Sequence, residues 1–250
     1  MPDTTLPVFL AASVPASGRT VLDGEEARHA ATVRRLRAGE RLVLSDGAGA
    51  MARCVVEAVQ PGRDAALTLS VEESWTEDPP ALRVVGAQAL AKGDRGELAV
   101  ELATEAGVDA IVPWRAARSV AKWEDGGRGE KALARWRATA RSAAKQARRA
   151  HVPDVTEAVS TRELAGLVAT MSLAIVLESD VPDRLTDLDL PDTGDVLLVV
   201  GPEGGITDDE LHTLREAGAR PVRLGTTVLR TSTAAAVALG ALGALTTRWR

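Results

Sequence analysis

The sequence predicts an α/β protein preceded by a small β-rich domain, and three observations support this fold class. Apolar runs alternate with helix-like segments over most of the chain, which is typical of a largely parallel sheet flanked by helices. Alternating strands and a hairpin signal fill the N-terminal part instead. Near the C-terminus, two glycine-bearing turns each follow an apolar run and lead into a helix. Open parallel sheets bind ligands at such turns.

Residues 1–75 are predicted to form a small β-barrel or sheet domain. The turn at residues 46–49, Asp-Gly-Ala-Gly, separates strands predicted at 40–45 and 51–59, and another strand follows at 66–71. A short helix is predicted over 24–37. It carries a basic patch, which Glu25 and Glu26 dilute, made of Arg28, His29, Arg34, Arg35 and Arg37.

Residues 76–80, Thr-Glu-Asp-Pro-Pro, are predicted to be an exposed linker. The second domain then covers residues 81–250. Its predicted elements begin with strands at 82–87 and 110–114 around a helix at 97–106, and they include a strand over 173–178.

Composition excludes several classes of protein. One cysteine, Cys54, rules out a disulfide framework within the chain and any zinc site with two or more cysteines. The three histidines are scattered, so no metal site is expected. Met1–Leu10 lacks the cationic start and apolar core that are typical of a signal peptide. The most apolar stretch, residues 234–245, is too short to cross a membrane. We therefore expect a cytoplasmic protein without a membrane partner.

Charge is strongly segregated although the net charge is only −5. Residues 115–149 contain eleven Lys or Arg and three acids, namely Glu124, Asp125 and Glu130, whereas residues 154–195 contain ten acids and two arginines. A helix is predicted over 129–150, with an apolar face formed by Leu133, Trp136, Ala140, Ala143, Ala144 and Ala147. A cationic row recurs every four residues on another face, at Arg137, Arg141, Lys145 and Arg149. Like charges at this spacing repel, so the row indicates binding to a phosphate backbone, with a merely solvated face as the alternative.

The first glycine turn, Gly201-Pro202-Glu203-Gly204-Gly205, is predicted to be a rigid wall of a small-molecule site. Thr207 and Glu210 have the spacing of a capping box, which fixes where the next helix begins. The alternative is an ordinary tight turn. The second turn, residues 222–231, leads into a helix that is predicted to be capped by a hydroxyl and to reach about Thr247. Arg230 lies beside that helix start, where the helix dipole disfavours a cation, so we expect an anionic or polarised oxygen nearby.

These residues resemble a known family. The stretches 92–97, 103–108, 118–120, Arg135-Trp136, 201–205, Leu224-Gly225 and 228–231 are similar, in this order, to the ribosomal RNA small subunit methyltransferase E family of the SPOUT superfamily. The resemblance implies a PUA-like RNA-binding barrel, followed by a SPOUT α/β domain with a trefoil knot. It also implies a homodimer and transfer of a methyl group from S-adenosylmethionine to N3 of a uridine in small-subunit ribosomal RNA.

The charge pattern and the chemistry of methyl transfer suggest roles for individual residues. Arg230 is the candidate catalytic residue, and Glu203 is a candidate base or a hydrogen-bonding brace. The candidate cofactor-binding residues are Leu177, Glu178, Gly201, Pro202, Glu203, Gly204, Leu224, Gly225, Val228, Leu229 and Thr231. The candidate RNA-binding residues are Arg28, His29, Arg34, Arg37, Arg118, Lys122, Arg137, Arg141, Lys145 and Arg149. Two residues depart from the family pattern, Ser232 and Lys145, where glutamate is common.

Two alternatives stay open. One is a SPOUT enzyme that methylates a ribose 2′-oxygen of transfer RNA or large-subunit ribosomal RNA. The other is a ribosome assembly factor that binds RNA without catalysis. A dinucleotide-dependent dehydrogenase is disfavoured, because no Gly-x-Gly-x-x-Gly motif stands at a first strand-helix turn.

Overall fold

The computed structural model describes residues 6–123 and 126–249, so Glu124 and Asp125 lie outside the described residues. The chain divides into two compact units. The first comprises Met1–Pro79 and Ala144–Val152, and the second comprises Pro80–Ala143 and Pro153–Arg250. The unit boundary thus falls within the predicted linker, but residues 144–152 belong to the first unit rather than to the second.

The first unit is a five-stranded sheet with one short helix. Its elements are β1 (Val8–Leu10), β2 (Gly18–Leu22), α1 (Gly24–Arg28), a π-helical turn (His29–Val33), β3 (Arg41–Ser45), β4 (Ala50–Gln60) and β5 (Ala66–Thr76). The strand order is β1-β3-β4-β5-β2. β1 pairs with β3 in parallel, whereas β3 with β4, β4 with β5 and β5 with β2 pair antiparallel. The predicted hairpin is confirmed as β3 and β4, and its apolar face packs around Phe9, Leu42, Leu67 and Leu69.

The helix predicted over 24–37 is wrong in its second half. The helical segment ends at Val33, and Arg35 adopts a left-handed conformation with φ 55°. A non-glycine residue rarely occupies that region, so it ends the helix. Arg34, Arg35 and Arg37 are therefore in an exposed loop.

The second unit alternates strands with helices. Its elements are β6 (Leu82–Ala89), α2 (Arg95–Glu105), β7 (Ala110–Trp114), α3 (Gly127–Gln146), β8 (Asp154–Val155), α4 (Thr161–Val168), β9 (Leu173–Leu177), a 3-10 turn (Leu185–Asp187), β10 (Gly194–Val200), α5 (Asp208–Glu216), β11 (Arg220–Val222), α6 (Thr231–Leu245) and a 3-10 turn (Thr247–Trp249).

The six strands of this unit form one sheet, in the order β11-β9-β10-β6-β7-β8, and every pairing is parallel. One face packs on α2, α3 and α6 through side chains such as Val100, Trp136 and Leu239. The other face packs on α4 and α5 through Leu164 and Leu214. Burial on both faces explains why the strands are continuous apolar runs. The α/β class with a parallel sheet is confirmed, while the trefoil knot stays a prediction.

The basic helix is shorter than predicted. α3 ends at Gln146, and Arg148 has φ 56°, which terminates the helix as Arg35 does earlier in the chain. Leu133, Trp136, Ala140, Ala143 and Ala144 are buried as expected. Ala147 is exposed beyond the helix end, so its place on the apolar face was wrong.

The cap of α6 also differs from the prediction. The N-cap residue is Arg230, and its side chain makes no capping hydrogen bond. The neighbouring hydroxyl of Thr231 is used elsewhere, as described below, and the helix ends at Leu245 rather than near Thr247. Across residues 6–123 and 126–249, no helix is both long and apolar enough to span a bilayer.

Candidate functional site

A cleft of about 490 Å³ lies beyond the carboxyl ends of β9, β10 and β11. Both glycine turns line it, as open parallel sheets lead one to expect. The segment after β9 forms a third wall. The cleft brings together Arg230 and every residue proposed above to hold a cofactor: Leu177, Glu178, Gly201, Pro202, Glu203, Gly204, Leu224, Gly225, Val228, Leu229 and Thr231.

The first glycine turn is held tightly against its surroundings. A methyl group on Gly201 would lie 2.7 Å from Cγ1 of Ile206, and one on Gly204 would lie 3.0 Å from Cβ of Arg118. Nη1 of Arg118 also donates to the Gly204 carbonyl at 3.1 Å. The two glycines are therefore required by close packing, which supports a rigid wall rather than a loose connection.

A hydroxyl joins the two turns. Oγ1 of Thr231, in the second turn, donates to the carbonyl of Gly201 at 2.7 Å. The same oxygen accepts from Nε2 of Gln88 at 2.9 Å, and Gln88 is buried at the end of β6. Because Thr231 has this bridging role, it does not cap α6. No pattern in the sequence indicates this contact, because it joins residues far apart in the chain.

Glu203 is fixed at the rim of the cleft as a hydrogen-bond acceptor. Its Oε1 accepts from the backbone N–H of Lys92 and from Nη1 of Arg95, both at 3.2 Å. Desolvation, the largest single influence, raises the pKa of this carboxyl, but the hydrogen bonds from backbone and from Arg95 together hold it below its usual value. The side chain is therefore a charged brace and a poor proton acceptor.

Glu210 fastens the start of α5 to a second loop. The predicted capping box with Thr207 is confirmed. The same carboxylate accepts from the backbone N–H of Ala117 at 2.8 Å and from the hydroxyl of Thr161 at 3.0 Å. Burial has the largest single effect and raises the pKa, yet these hydrogen bonds outweigh it and lower the pKa of Glu210. One acid thus ties the 115–119 loop to the helix that follows the first glycine turn.

Arg230 lies at the rim of the same cleft and is exposed. Its guanidinium has no hydrogen-bond or ion-pair partner among the residues that the structure describes. It stands at the N-cap of α6, so the cation and the positive end of the helix dipole face the same region. An oxygen with developing negative charge would be stabilised there.

Sequence reasoning missed several lining residues. Arg95, Ser179, Arg223 and Thr227 also border the cleft. Ser179 adjoins Glu178, and Arg95 lies in the 92–97 stretch that supports the resemblance, so each had a neighbouring signal. Arg223 and Thr227 belong to the second turn itself.

The cationic row of α3 does not form one free surface. Arg137 donates to the Val155 carbonyl and pairs with Glu157 at 3.2 Å. Lys145 pairs with both oxygens of Glu26, at 2.6 and 2.8 Å. Arg141 is exposed and has no partner within the described part of the chain. The repulsion expected along the row is thus partly relieved by acids from other parts of the sequence, Glu26 and Glu157.

The other candidate RNA-binding residues differ in exposure. In the first unit, Arg34 and Arg37 are exposed, Arg28 donates to the Arg63 carbonyl, and His29 is half-buried beside Phe9. In the second unit, Lys122 is exposed, whereas Arg118 is engaged with Gly204. Arg149 is half-buried beyond the end of α3.

Residues 6–123 and 126–249 contain no group of three or more acids, histidines or cysteines that could hold a metal ion.

Comparisons with known proteins agree with this architecture. Residues 78–243 match the model of an RNA methyltransferase domain, and residues 22–63 match that of an RNA methyltransferase PUA domain. The chain is 53% identical to ribosomal RNA small subunit methyltransferase E of Mycobacterium bovis, covering 97% of this chain and 93% of that protein. It is 32% identical to the enzyme of the same name from Bacillus subtilis, over 88% of each chain.

A solved structure is similar over nearly the whole chain. It is a ribosomal RNA small subunit methyltransferase E from Neisseria gonorrhoeae bound to S-adenosyl methionine, with a TM-score of 0.84, 28% identity, and coverage of 96% of this chain and 98% of that one. The α/β fold, the PUA and methyltransferase domains and the identity to curated relatives lead to one conclusion. The chain belongs to the ribosomal RNA small subunit methyltransferase E family.

Proposed function

We propose that this protein transfers a methyl group from S-adenosylmethionine to N3 of a uridine in small-subunit ribosomal RNA. The observation that supports this most directly is the convergence of both glycine turns and Arg230 on one cleft. The Mycobacterium bovis relative is named a ribosomal RNA small subunit methyltransferase, and the Neisseria gonorrhoeae relative was crystallised with S-adenosyl methionine.

The cleft suits a nucleoside cofactor in size and lining. Its volume of about 490 Å³ lies within the usual range for small-molecule sites. Buried or half-buried Leu177, Val200, Leu224 and Leu229 offer an apolar bed, while glycine turns expose backbone polar groups. Glu178 and the charged Glu203 supply negative charge that suits a sulfonium cation.

The reaction needs positioning more than reactive side chains. When bound, the cofactor supplies an electrophilic methyl group on a cationic sulfur. The rigid turns hold the donor and exclude water, so that uridine N3 approaches in line. In this transfer the N3–H proton would pass to water, the methyl group would take its place on N3, and the electron pair of the broken sulfur–methyl bond would stay with the cofactor.

Arg230 is the residue that we assign to stabilising the uridine. Loss of the N3 proton spreads negative charge onto the carbonyl oxygens on either side of N3. An unpaired guanidinium at the N-cap of α6 is suited to accept those oxygens. Glu203 is disfavoured as the base because its carboxylate already accepts two hydrogen bonds and its pKa is lowered.

The domain assignments and partners follow from the same proposal. Residues 1–75 would serve as the PUA-like RNA-binding domain, 76–80 as the linker and 81–250 as the methyltransferase domain. Arg28, Arg34, Arg37, Lys122 and Arg141 are the exposed cations best placed to contact RNA. The family resemblance adds a homodimer, a trefoil knot and a cytoplasmic location as parts of the proposal.

The test is nucleoside mass spectrometry of ribosomal RNA from cells with and without the gene, combined with calorimetry of S-adenosylmethionine binding. We expect 3-methyluridine in the small-subunit RNA to disappear when the gene is deleted. Loss of a ribose-methylated nucleoside instead would support the 2′-O alternative. Failure of the purified protein to bind S-adenosylmethionine would support the non-catalytic assembly factor.

A further inference from the structure

The second unit contains two further clefts. Within the described residues, neither shares a lining residue with the cleft beyond β9, β10 and β11, which we call the donor cleft. One, of about 300 Å³, is lined by Leu90, Arg115, Ser119 and Trp123 among others. The second, of about 310 Å³, is lined by Gly96, Arg128, Arg135 and Trp136 among others. The segment Ala121–Trp123 lines both. One short segment is therefore shared by two cavities of similar size.

Trp123 packs against a buried tryptophan at the edge of the core. Its ring makes an edge-on contact with Trp136, with centroids 4.9 Å apart and an interplanar angle of 77°. Trp136 is only 2% exposed, and its ring packs so closely on α2 that a methyl group on Gly96 would lie 2.9 Å away. Trp123 itself is half-buried, so part of its indole remains accessible. An indole that is packed on one side and accessible on another is suited to stacking on a planar group.

The polar groups around Trp123 match a nucleotide. Ser119 is 8% exposed, and its hydroxyl has no partner within the described residues although it belongs to the lining of the first cleft. A buried hydroxyl without a partner is costly, and a base edge could satisfy it. Lys122 is exposed without an ion-pair partner in the described part of the chain, and the exposed Arg128 adds positive charge at the second cleft. Cations beside an apolar, aromatic cleft are what a single-stranded nucleic acid requires.

The 115–119 loop, which lines the first of these clefts, is hydrogen-bonded to the first glycine turn and to the start of α5. Arg118 donates to the Gly204 carbonyl at 3.1 Å, and Glu210 accepts from the Ala117 N–H at 2.8 Å. A ligand seated against Ser119 and Trp123 would thus be positioned relative to the first glycine turn. Sequence-specific RNA readers commonly splay unpaired bases onto aromatic side chains.

We propose that the two clefts bind two consecutive unpaired nucleotides of the RNA substrate, with Trp123 stacking on a base and Lys122 contacting a phosphate. This inference rests on the proposed function, since it assumes an RNA substrate for the donor cleft. The nucleotides flank the methylated uridine, because the donor cleft has its own lining and receives the target base.

The first experiment uses small ribosomal subunits, or their RNA, from cells that lack the enzyme. Trp123→Leu keeps apolar bulk but removes the aromatic face, and we expect about a tenfold rise in KM for RNA, with unchanged affinity for S-adenosylmethionine. Trp123→Phe should restore most of the loss. Lys122→Gln should weaken RNA binding, whereas the matched control Lys131→Gln, an exposed lysine outside both clefts, should not.

A second measurement needs no variant and so does not depend on how Trp123→Leu folds. Photo-crosslinking of the wild-type protein to decauridylate containing 5-iodouridine should give an adduct at Trp123. Normal KM for RNA in Trp123→Leu, or crosslinks that all lie elsewhere, would overturn the proposal while leaving methyl transfer intact. A Trp123 adduct without methyl transfer by the wild-type protein would support the nucleotide site and reject the enzymatic assignment.

Discussion

The donor cleft and the cationic row of α3 were both inferred from short sequence patterns. The structure brings the predicted cleft residues together, whereas it pairs part of the row with acids. The cleft is built mostly from backbone in two local turns, whose geometry depends on nearby glycines and on a capping box. The free charge of the row depends on which side chains face it, and two of its four cations pair with Glu26 and Glu157. Local backbone features can be read from a sequence, whereas charge compensation between distant residues cannot.

The strongest test of the cleft is Arg230→Ala. Loss of one donor to a developing negative charge typically costs about 100- to 1000-fold in kcat. We expect a loss of this size with unchanged affinity for S-adenosylmethionine, measured by single-turnover methyl transfer and calorimetry. Arg230→Lys should recover part of the rate. Equal turnover by Arg230→Ala would remove the residue from the mechanism and leave the cleft as a binding site only.

Glu210→Gln tests whether the brace behind the first turn matters to stability. The amide accepts fewer hydrogen bonds than the carboxylate, so we expect the free energy of unfolding to fall by about 2 kcal/mol at neutral pH. Because the folded pKa of Glu210 is lowered, its stabilisation is present above the unfolded value of about 4.5 and is lost as the pH falls through the folded pKa. The difference from wild type in urea unfolding should therefore shrink below pH 4.5. A difference that does not change with pH would contradict this role.

Gly201→Ala tests the close packing of the first turn. The added methyl group would meet Ile206 at 2.7 Å, so the turn must shift. We expect about tenfold weaker binding of S-adenosylmethionine, because overpacking of this kind costs about 1–3 kcal/mol. Gly166→Ala is the matched control, since a methyl group there meets nothing within 4 Å in the middle of α4. It should stabilise the protein slightly. Unaltered cofactor affinity in Gly201→Ala would show that the turn is slack.

The row itself is tested by comparing Lys145→Gln with Arg141→Gln. Lys145→Gln breaks the pair with Glu26 and should lower the free energy of unfolding by about 1 kcal/mol, with little effect on RNA affinity. Arg141→Gln should leave stability unchanged and make RNA binding less dependent on salt, by about one unit or less in the slope of log K against log salt. The measurements are urea unfolding and a salt titration of binding. Equal effects of both variants on RNA affinity would restore the row as one surface.

Much of the fold could be predicted because its signals are local. The apolar runs of β9 and β10, the hairpin of β3 and β4, and the Thr207 cap all depend on neighbouring residues. Helix ends were less predictable. Arg35 and Arg148 take left-handed conformations that arginine does not signal, so the first helix and α3 ended earlier than expected.

The candidate site, too, was predictable only where its signals are local. The glycine turns placed their residues in one cleft, but the expected hydroxyl cap of α6 is absent, and the hydroxyl of Thr231 bridges Gly201 and Gln88 instead. Ser119 was noted only within the stretch 118–120 that supports the resemblance, and Trp123 was not singled out, since nothing in the sequence indicates that two cavities share the segment 121–123.

The bridge through Thr231 has a practical consequence for inhibitors. Because one hydroxyl joins the two turns to each other and to Gln88, a compound that displaces one turn must strain the other. Compounds that match the existing shape should therefore gain more affinity than bulky ones that demand expansion. Thr231→Val would uncouple the turns, and this variant should tolerate enlarged cofactor analogues that the wild-type protein rejects.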